Sequence, residues 1–363
     1  MKRAKVFFVP VSDGEGIENM AKKAYRLAEA AGFAELIQKG RPCAIKQHFG
    51  EGKNTGYVKP QITAAVAEFV KKAGGLPFVT DTNTLYRGRR SQAVDHLEMA
   101  AEHGFTQAAL GAPVIIADGL HGADQVAVRI EGGRHFREVR IASALFQAAS
   151  AIVLTHVKGH VAVGLGGSIK NVGMGCAARA GKLAQHQGGS PKFDAKKCRG
   201  CGTCVRWCPT DAISLNGKPE KAHLAPEKCI GCGECLALCP YDAIGFSWSV
   251  EGPELIEKVC EHVLGFLSNK AARVGYMNFI TDVTKNCDCV GKPQKAEWPN
   301  LGILASSDIV AVDKATADIT IQRYGKDVWA HWWPDSNYPT QFSTGEKLGL
   351  GTANYDLTEM APA

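Results

Sequence analysis

The stretch "CRGCGTCVRWCP" at residues 198–209 returns as "CIGCGECLALCP" at 229–240, each reading Cys-x2-Cys-x2-Cys-x3-Cys-Pro. The likeness runs on: "CRGCGTCVRWCPTDAIS" aligns with "CIGCGECLALCPYDAIG" at a constant offset of 31 residues, from 198 to 229. Halves of about 30 residues are too small for separate hydrophobic cores, so the two must fold together around something else. Three cysteines at x2 spacing wrap one iron–sulfur cubane. The fourth, ahead of proline, is too far round to close the same cubane, and where two such runs occur together it ligates the other cluster. Two 4Fe–4S clusters are therefore expected. Cys198, Cys201, Cys204 and Cys239 would hold one, and Cys229, Cys232, Cys235 and Cys208 the other. Gly200, Gly202, Gly231 and Gly233 would let the backbone bend close to the sulfides. Pro209 and Pro240 are expected to end each loop and open a short helix. Ile213, Leu215, Ile230, Leu236, Ile244 and Phe246 would keep the clusters dry, which tunes potential. Structural zinc is the competing use, but it takes well-separated Cys-x2-Cys pairs, not four cysteines in eleven residues twice over.

This unit resembles the bacterial two-cluster ferredoxin over some 50 residues, which implies one-electron transfer at low potential. It fills a small part of a 363-residue chain. Upstream, apolar runs alternate with helical patterns. Strands are expected at 5–10, 43–48, 76–80, 112–117 and 151–155, helices at 17–32, 60–73 and 91–103, and a hairpin over 125–142 turning at Gly132-Gly133. Downstream, 252–268 reads as a helix and 309–321 as a short apolar run passing into one. The fold class this defines is α/β: a mainly parallel, doubly wound sheet with an inserted small α+β two-cluster ferredoxin-like domain. The expected organisation is 1–189 and 248–363 for the two parts of the α/β domain and 190–247 for the insert.

Apolar residues make up 45% and charged residues 21%, an ordinary globular balance. No apolar run approaches the roughly 20 residues of a membrane span, and the first apolar core, VFFVPV, is too short for a signal peptide. A cytoplasmic location follows as the expectation, where cysteine clusters mean metal rather than disulfides. The net charge of +6 comes from scattered Lys and Arg with no basic block, which argues against nucleic-acid binding and suits attraction to a small anionic substrate.

In a doubly wound sheet, ligands sit beyond the carboxyl ends of the strands. Lys46 and His48 come after Ile45 at the end of the second strand, Asp81 follows the third, Asp118 (with His121 nearby) the fourth, and His156, Lys158 and His160 the fifth. Residues two apart in extended chain face the same way, so Lys46 pairs with His48, and His156 with Lys158 and His160. "GLGGSIKNVGMGC" (164–176) then brings Lys170 and Asn171 behind a glycine-rich turn that could form an anion nest of N–H groups. It is not a nucleotide-binding P-loop, whose spacing differs. His48, His156, His160 and Lys170 are the candidate catalytic residues. Lys46, Lys158, Asn171, Asp81 and Asp118 are candidates for a substrate or anion site. In "KNCDC" (285–289), Cys287 and Cys289 in extended chain would point to one side and could clamp a further metal, hold part of a third cluster, or act as a redox pair. Cys43, Cys176 and Cys260 read as buried packing residues.

The segments "AIKQHFGEGKNTGYVKP", "PFVTDTNTLYRGRR", "VDHLEMAAEHGF", "VIIADGLHG", "LTHVKGHVAVGLGGSIKNVGMG", "NCDC" and "GILASSDIVAVD" resemble, in order, the uncharacterised family catalogued as domain of unknown function 362, whose iron–sulfur members carry a ferredoxin insert at this place. The resemblance implies an α/β fold and two 4Fe–4S clusters and no particular reaction. The His156–Lys170 stretch is also similar, over a short span, to the His-glycine-lysine segment of nickel-pincer lactate racemases, where a lysine anchors the cofactor. The functional expectation is an oxidoreductase passing electrons from the clusters to a substrate or metal at the sheet edge. A non-enzymatic electron-transfer subunit and a metal-cofactor maturation factor are the alternatives. A redox partner protein or a small anionic substrate is implied, a homodimer is one assembly open to it, and oxygen-labile clusters suit an anaerobic cell.

Overall fold

Eight strands form the central sheet of the computed structural model, which describes residues 3–86, 88–187, 191–245, 252–270 and 272–361. They are β1 (Ala4–Pro10), β2 (Pro42–Lys46), β3 (Leu76–Asp81), β4 (Val114–Ile116), β5 (Ser150–His156), β6 (Val274–Ile280), β7 (Gly302–Ser306) and β8 (Tyr355–Glu359). Their order is β8-β1-β7-β6-β5-β2-β3-β4. β7 runs antiparallel to both neighbours, and every other pairing is parallel. The sheet is thus mainly parallel, and seven strands deliver their carboxyl ends to one edge.

β5 is buried at every residue, as a strand covered on both faces must be. Alternation divides it: Ile152 and Leu154 enter one core with Leu27 and Val66, while Ala151 and Val153 enter the other with Val259 and Val312. The helices Ile17–Ala30 and Pro60–Lys72 cover the first face, and Gly252–Leu267 and Ile309–Tyr324 the second. Burial of each such Val, Leu or Ile contributes roughly 1.5–3 kcal/mol. The hairpin joins Gln125–Arg129 to Glu138–Ala142 as expected. The 309–321 segment differs: it is helical from its first residue. Asp308 caps it, accepting from Val310 N at 3.0 Å and Ala311 N at 2.9 Å, so the apolar residues that open the segment are helical rather than extended.

Residues 192–245 lie between β5 and β6 in the chain but form their own short pairings, Lys192–Phe193 with Ile244–Gly245 and Ile213–Asn216 with Lys221–Leu224. Cys198, Cys204, Cys235 and Cys239 share a small core with Ile213, Leu236 and Ile244. Two expectations change. Ile230 is 50% exposed rather than shielding. The short helices, Thr203–Arg206 and Glu234–Leu238, precede Pro209 and Pro240 instead of following them. The residue before a proline avoids the helical region, and Cys239 is extended accordingly. Phe246 and the expected boundaries at 189/190 and 247/248 lie outside the described residues.

Candidate functional site

A cavity of about 340 Å³ opens at the carboxyl edge of the sheet. β2 brings Lys46 and His48 to it, β3 brings Asp81, and the chain beyond β5 brings Lys158 and His160. The Ser168–Gly173 helix supplies Lys170 and Asn171, and the loop after β6 supplies Cys289. Arg90, Tyr86, Lys182 and His186 complete the polar wall, and Leu85, Val161, Ala162 and Met174 form an apolar one.

The cations are held by a buried network. Lys46 Nζ donates to Asn171 Oδ1 (2.6 Å) and pairs with Asp81 (3.1 Å). Asn171 is oriented in turn by donating to the Leu154 carbonyl (3.0 Å) and Thr155 Oγ1 (2.9 Å). Arg90 joins Asp81 (3.2 Å) to Glu51 (3.0 Å). Burial opposes the charge on Asp81, yet Lys46 and Arg90 prevail and hold its carboxyl below the usual carboxylate range. Close packing is part of the design: a Cβ on Gly175 would lie 2.5 Å from Lys46 Nζ. Lys182 is the exception among the cations. Its Nζ donates to Thr82 Oγ1 (2.7 Å) and the Ala177 carbonyl (2.5 Å), and burial, only partly countered by Asp118 and Asp81, lowers its pKa.

His48 and His160 both accept a backbone N–H on Nδ1, from Gly50 (2.8 Å) and Ala162 (3.2 Å). That leaves Nε2 as the protonated nitrogen on each neutral ring. Burial holds His48 well below its ordinary range and His160 at about 3, with the surrounding lysines adding to both. The buried His48 Nε2 has no hydrogen-bond partner among the described residues, so it is a donor available to a ligand.

His156 does not reach this cavity. Its Nδ1 lies 3.0 Å from both carboxylate oxygens of Asp288 and its Nε2 3.0 Å from the Thr281 carbonyl. The chain leaves β5 after His156 and starts a separate pairing at Lys158, which ends the alternation expected to align the three residues. Lys158 also pairs with Asp288 (3.1 Å). Asp118 is likewise absent from the cavity lining: its Oδ1 accepts from Asn83 N and Nδ2, both at 2.9 Å, and so fixes the loop after β3. The glycine-rich turn is no free anion nest, because the N–H groups of Ser168 and Ile169 donate to Asp313 at 2.7 and 2.8 Å. Cys287 and Cys289 lie in a turn closed by Val290 N on the Cys287 carbonyl (3.0 Å), not in extended chain. Cys287 Sγ accepts from Lys170 Nζ at 3.4 Å. Cys43, Cys176 and Cys260 are buried, as expected of packing residues.

Sequence reading missed Arg90, Lys182 and His186. The last two are four apart on one helix and so share a face, a spacing visible in "KLAQH". Asp288 sat unread between two cysteines.

Two further hollows lie in the 192–245 unit. Cys198, Cys201, Cys204 and Cys239 line one, and Cys208, Cys229, Cys232 and Cys235 line the other. Backbone N–H groups of Ala222, Ala212 and Ala243 approach the sulfurs of Cys198, Cys208 and Cys239 at 3.4, 3.2 and 3.3 Å. Gly200, Gly202, Gly231 and Gly233 take φ between 65° and 74°, the conformation that bends the chain around each hollow. Among the described residues no group of three or more His, Cys, Asp or Glu is set for a single metal ion. The second hollow abuts the sheet-edge cavity: Gly233 lines the hollow, and a Cβ there would stand 3.2 Å from Leu85, which lines the cavity. Glu234 meets His121 Nδ1 (3.2 Å) and Arg179 (3.7 Å) beside it.

Fold and site together define a class: an α/β protein whose parallel strands end at a cation-lined cleft, flanked by a cysteine-rich unit. The chain belongs to the family described as Domain of unknown function (DUF362), which it matches over residues 43–318. Among solved structures it is similar to the lactate racemase apoprotein from Thermoanaerobacterium thermosaccharolyticum, with 10% identity and a TM-score of 0.43, over 87% of this chain and 58% of that one. This chain therefore spans less than two thirds of that protein's length. No curated protein matches it in sequence. No helix among the described residues is long and apolar enough to cross a membrane.

Proposed function

We propose that this chain is an iron–sulfur redox protein that passes electrons through two 4Fe–4S clusters to an anionic substrate in the sheet-edge cavity. The observation that carries the reading is the cysteine partition. Each hollow is ringed by three cysteines of one run and the fourth of the other, the exchange that a two-cluster unit requires. Bound there, the clusters would supply one-electron transfer at low potential. The first quartet includes the exposed Cys201, which suits approach by a redox partner protein. The second backs onto Leu85 and hence onto the cavity. In the cavity Lys182 and the His48 Nε2–H would bind the anionic group, Lys46 and Arg90 would hold Asp81 in place, and the apolar wall would exclude water.

Anaerobic purification with iron and sulfide analysis tests this. The expected result is about eight irons per chain, two cubes of four, with a low-potential electron-resonance signal. Lys182→Met should leave that signal unchanged while removing substrate turnover. Colourless protein, or zinc on the eight cysteines, ends the proposal.

A further inference from the structure

We infer that Cys287 and Cys289 form a redox-active dithiol that closes to a disulfide by exchange with a small anionic disulfide bound in the sheet-edge cavity. This activity uses neither cysteine quartet and stands apart from the proposed clusters.

Geometry carries it. In extended chain, residues i and i+2 lie about 6.7 Å apart, at the upper limit for a disulfide. The turn closed by Val290 shortens that span and brings the two sulfurs within hydrogen-bond contact of each other. Asp288 between them is clamped from behind by His156 and Lys158, so the two sulfurs project together. Cys289 lines the cavity, whereas Cys287 is 4% exposed and sits against the Lys170 ammonium at 3.4 Å. The Cys289 hydrogen bond, acting against burial and aided by Lys170, holds Cys287 well below the ordinary thiol range. The same contact, with burial, holds Cys289 well above it. Of the two thiols, Cys287 therefore gives up its proton the more readily.

The exchange balances. Cys289 Sγ attacks one sulfur of the bound disulfide and its proton passes to Cys287 Sγ. The first thiolate leaves, and a mixed disulfide remains on Cys289. Cys287 Sγ then attacks Cys289 Sγ, its proton going to the departing sulfur, and the second half of the substrate leaves as a thiol. Two electrons move from the protein sulfurs to the substrate disulfide. The cavity's lysines suit an acceptor that carries carboxylates.

The test uses anaerobically purified full-length protein and dithiodiglycolate as the probe, with thioglycolate release, peptide mapping and iron content measured on each sample. Wild type should release two thioglycolates per chain and join Cys287 to Cys289. Cys287→Ser should release one and retain a mixed disulfide on Cys289. Cys289→Ser should release none, and Lys170→Gln should react about tenfold more slowly through loss of the neighbouring cation. Circular dichroism checks that each variant is folded. Wild-type protein in which both sulfurs stay free thiols overturns the inference, as does a metal bound to wild type and lost on Cys287→Ser. An anaerobic preparation that holds no iron yet carries out the exchange would sink the cluster reading and leave this one standing.

Discussion

Two lysines in one cavity answer to different demands. Lys46 is tied into Asp81 and Asn171, and through Asp81 to Arg90. Replacing it with Met leaves Asp81 buried with one cation fewer and Asn171 Oδ1 without its donor. Breaking such a pair from one side typically costs about 3–5 kcal/mol. Lys182 has no carboxylate within ion-pair distance among the described residues, and burial disfavours its charge. Lys182→Met gives up two hydrogen bonds but also removes a buried ammonium, and a Met of similar length fills the space. Urea unfolding should place Lys182→Met within about 1 kcal/mol of wild type and Lys46→Met several kcal/mol below it. Equal losses would mean that Lys182 serves the fold and is not held ready for a ligand.

At the scale of elements, legibility followed burial in the first half of the chain, whereas β6 and β7, buried at every residue, were not anticipated. β2, β3 and β5 were readable because strands covered on both faces must be apolar runs, and Lys46 and Asp81 came with them as the last residues of β2 and β3, with His48 two residues further on. Elements set by long-range contacts were not readable. Nothing local in "HVKGH" says that the strand stops at His156, and nothing in "GLGGSIKN" says that an aspartate over 140 residues away occupies its N–H groups. The 287–290 turn is of the same kind. It is fixed by Asp288, whose partners His156 and Lys158 come from the end of β5 and just beyond it. Burial opposes the Asp288 charge, but His156 and Lys158 hold its pKa at about 2, below its ordinary 3.8. A depressed carboxyl stabilises the fold above the unfolded pKa and loses that contribution as pH falls through the folded one. The contribution here is about 2 kcal/mol. The stability gap between wild type and Asp288→Asn should therefore be constant from neutral pH to about 5 and narrow by about that amount toward pH 2. Chemical denaturation across that range measures it, and a gap that does not narrow would remove the charge from the account of this turn.

Across the whole molecule, the cysteine-rich unit and the sheet meet at one charged contact that sequence reading left unassigned. Residue spacing grouped the cysteines as the two hollows group them, three from one run with the fourth of the other. It could not say which quartet faces the cavity, because that depends on Arg179 and His121, far from the cysteines in sequence. Arg179 is buried, and burial lowers its pKa against the pull of Glu234 and Asp118. Glu234 opens the helix that carries Cys235, and burial raises its own pKa against Arg179 and His121. Each charge is tolerated because the other is present. His121 also packs on Trp207, with ring centroids 5.0 Å apart, so the same point touches both halves of the repeat. Glu234→Ala should leave Arg179 buried without its nearest anion and loosen the joint before it loosens the sheet, since openings follow the least stable contact. Hydrogen exchange should accelerate together in the Arg179–Gln187 and Glu234–Leu238 helices, while β5 and β6, buried along their length, keep their protection. Faster exchange in Glu234–Leu238 alone would show the unit to be anchored elsewhere, and the route from the second quartet through Leu85 to the cavity would lose its structural support.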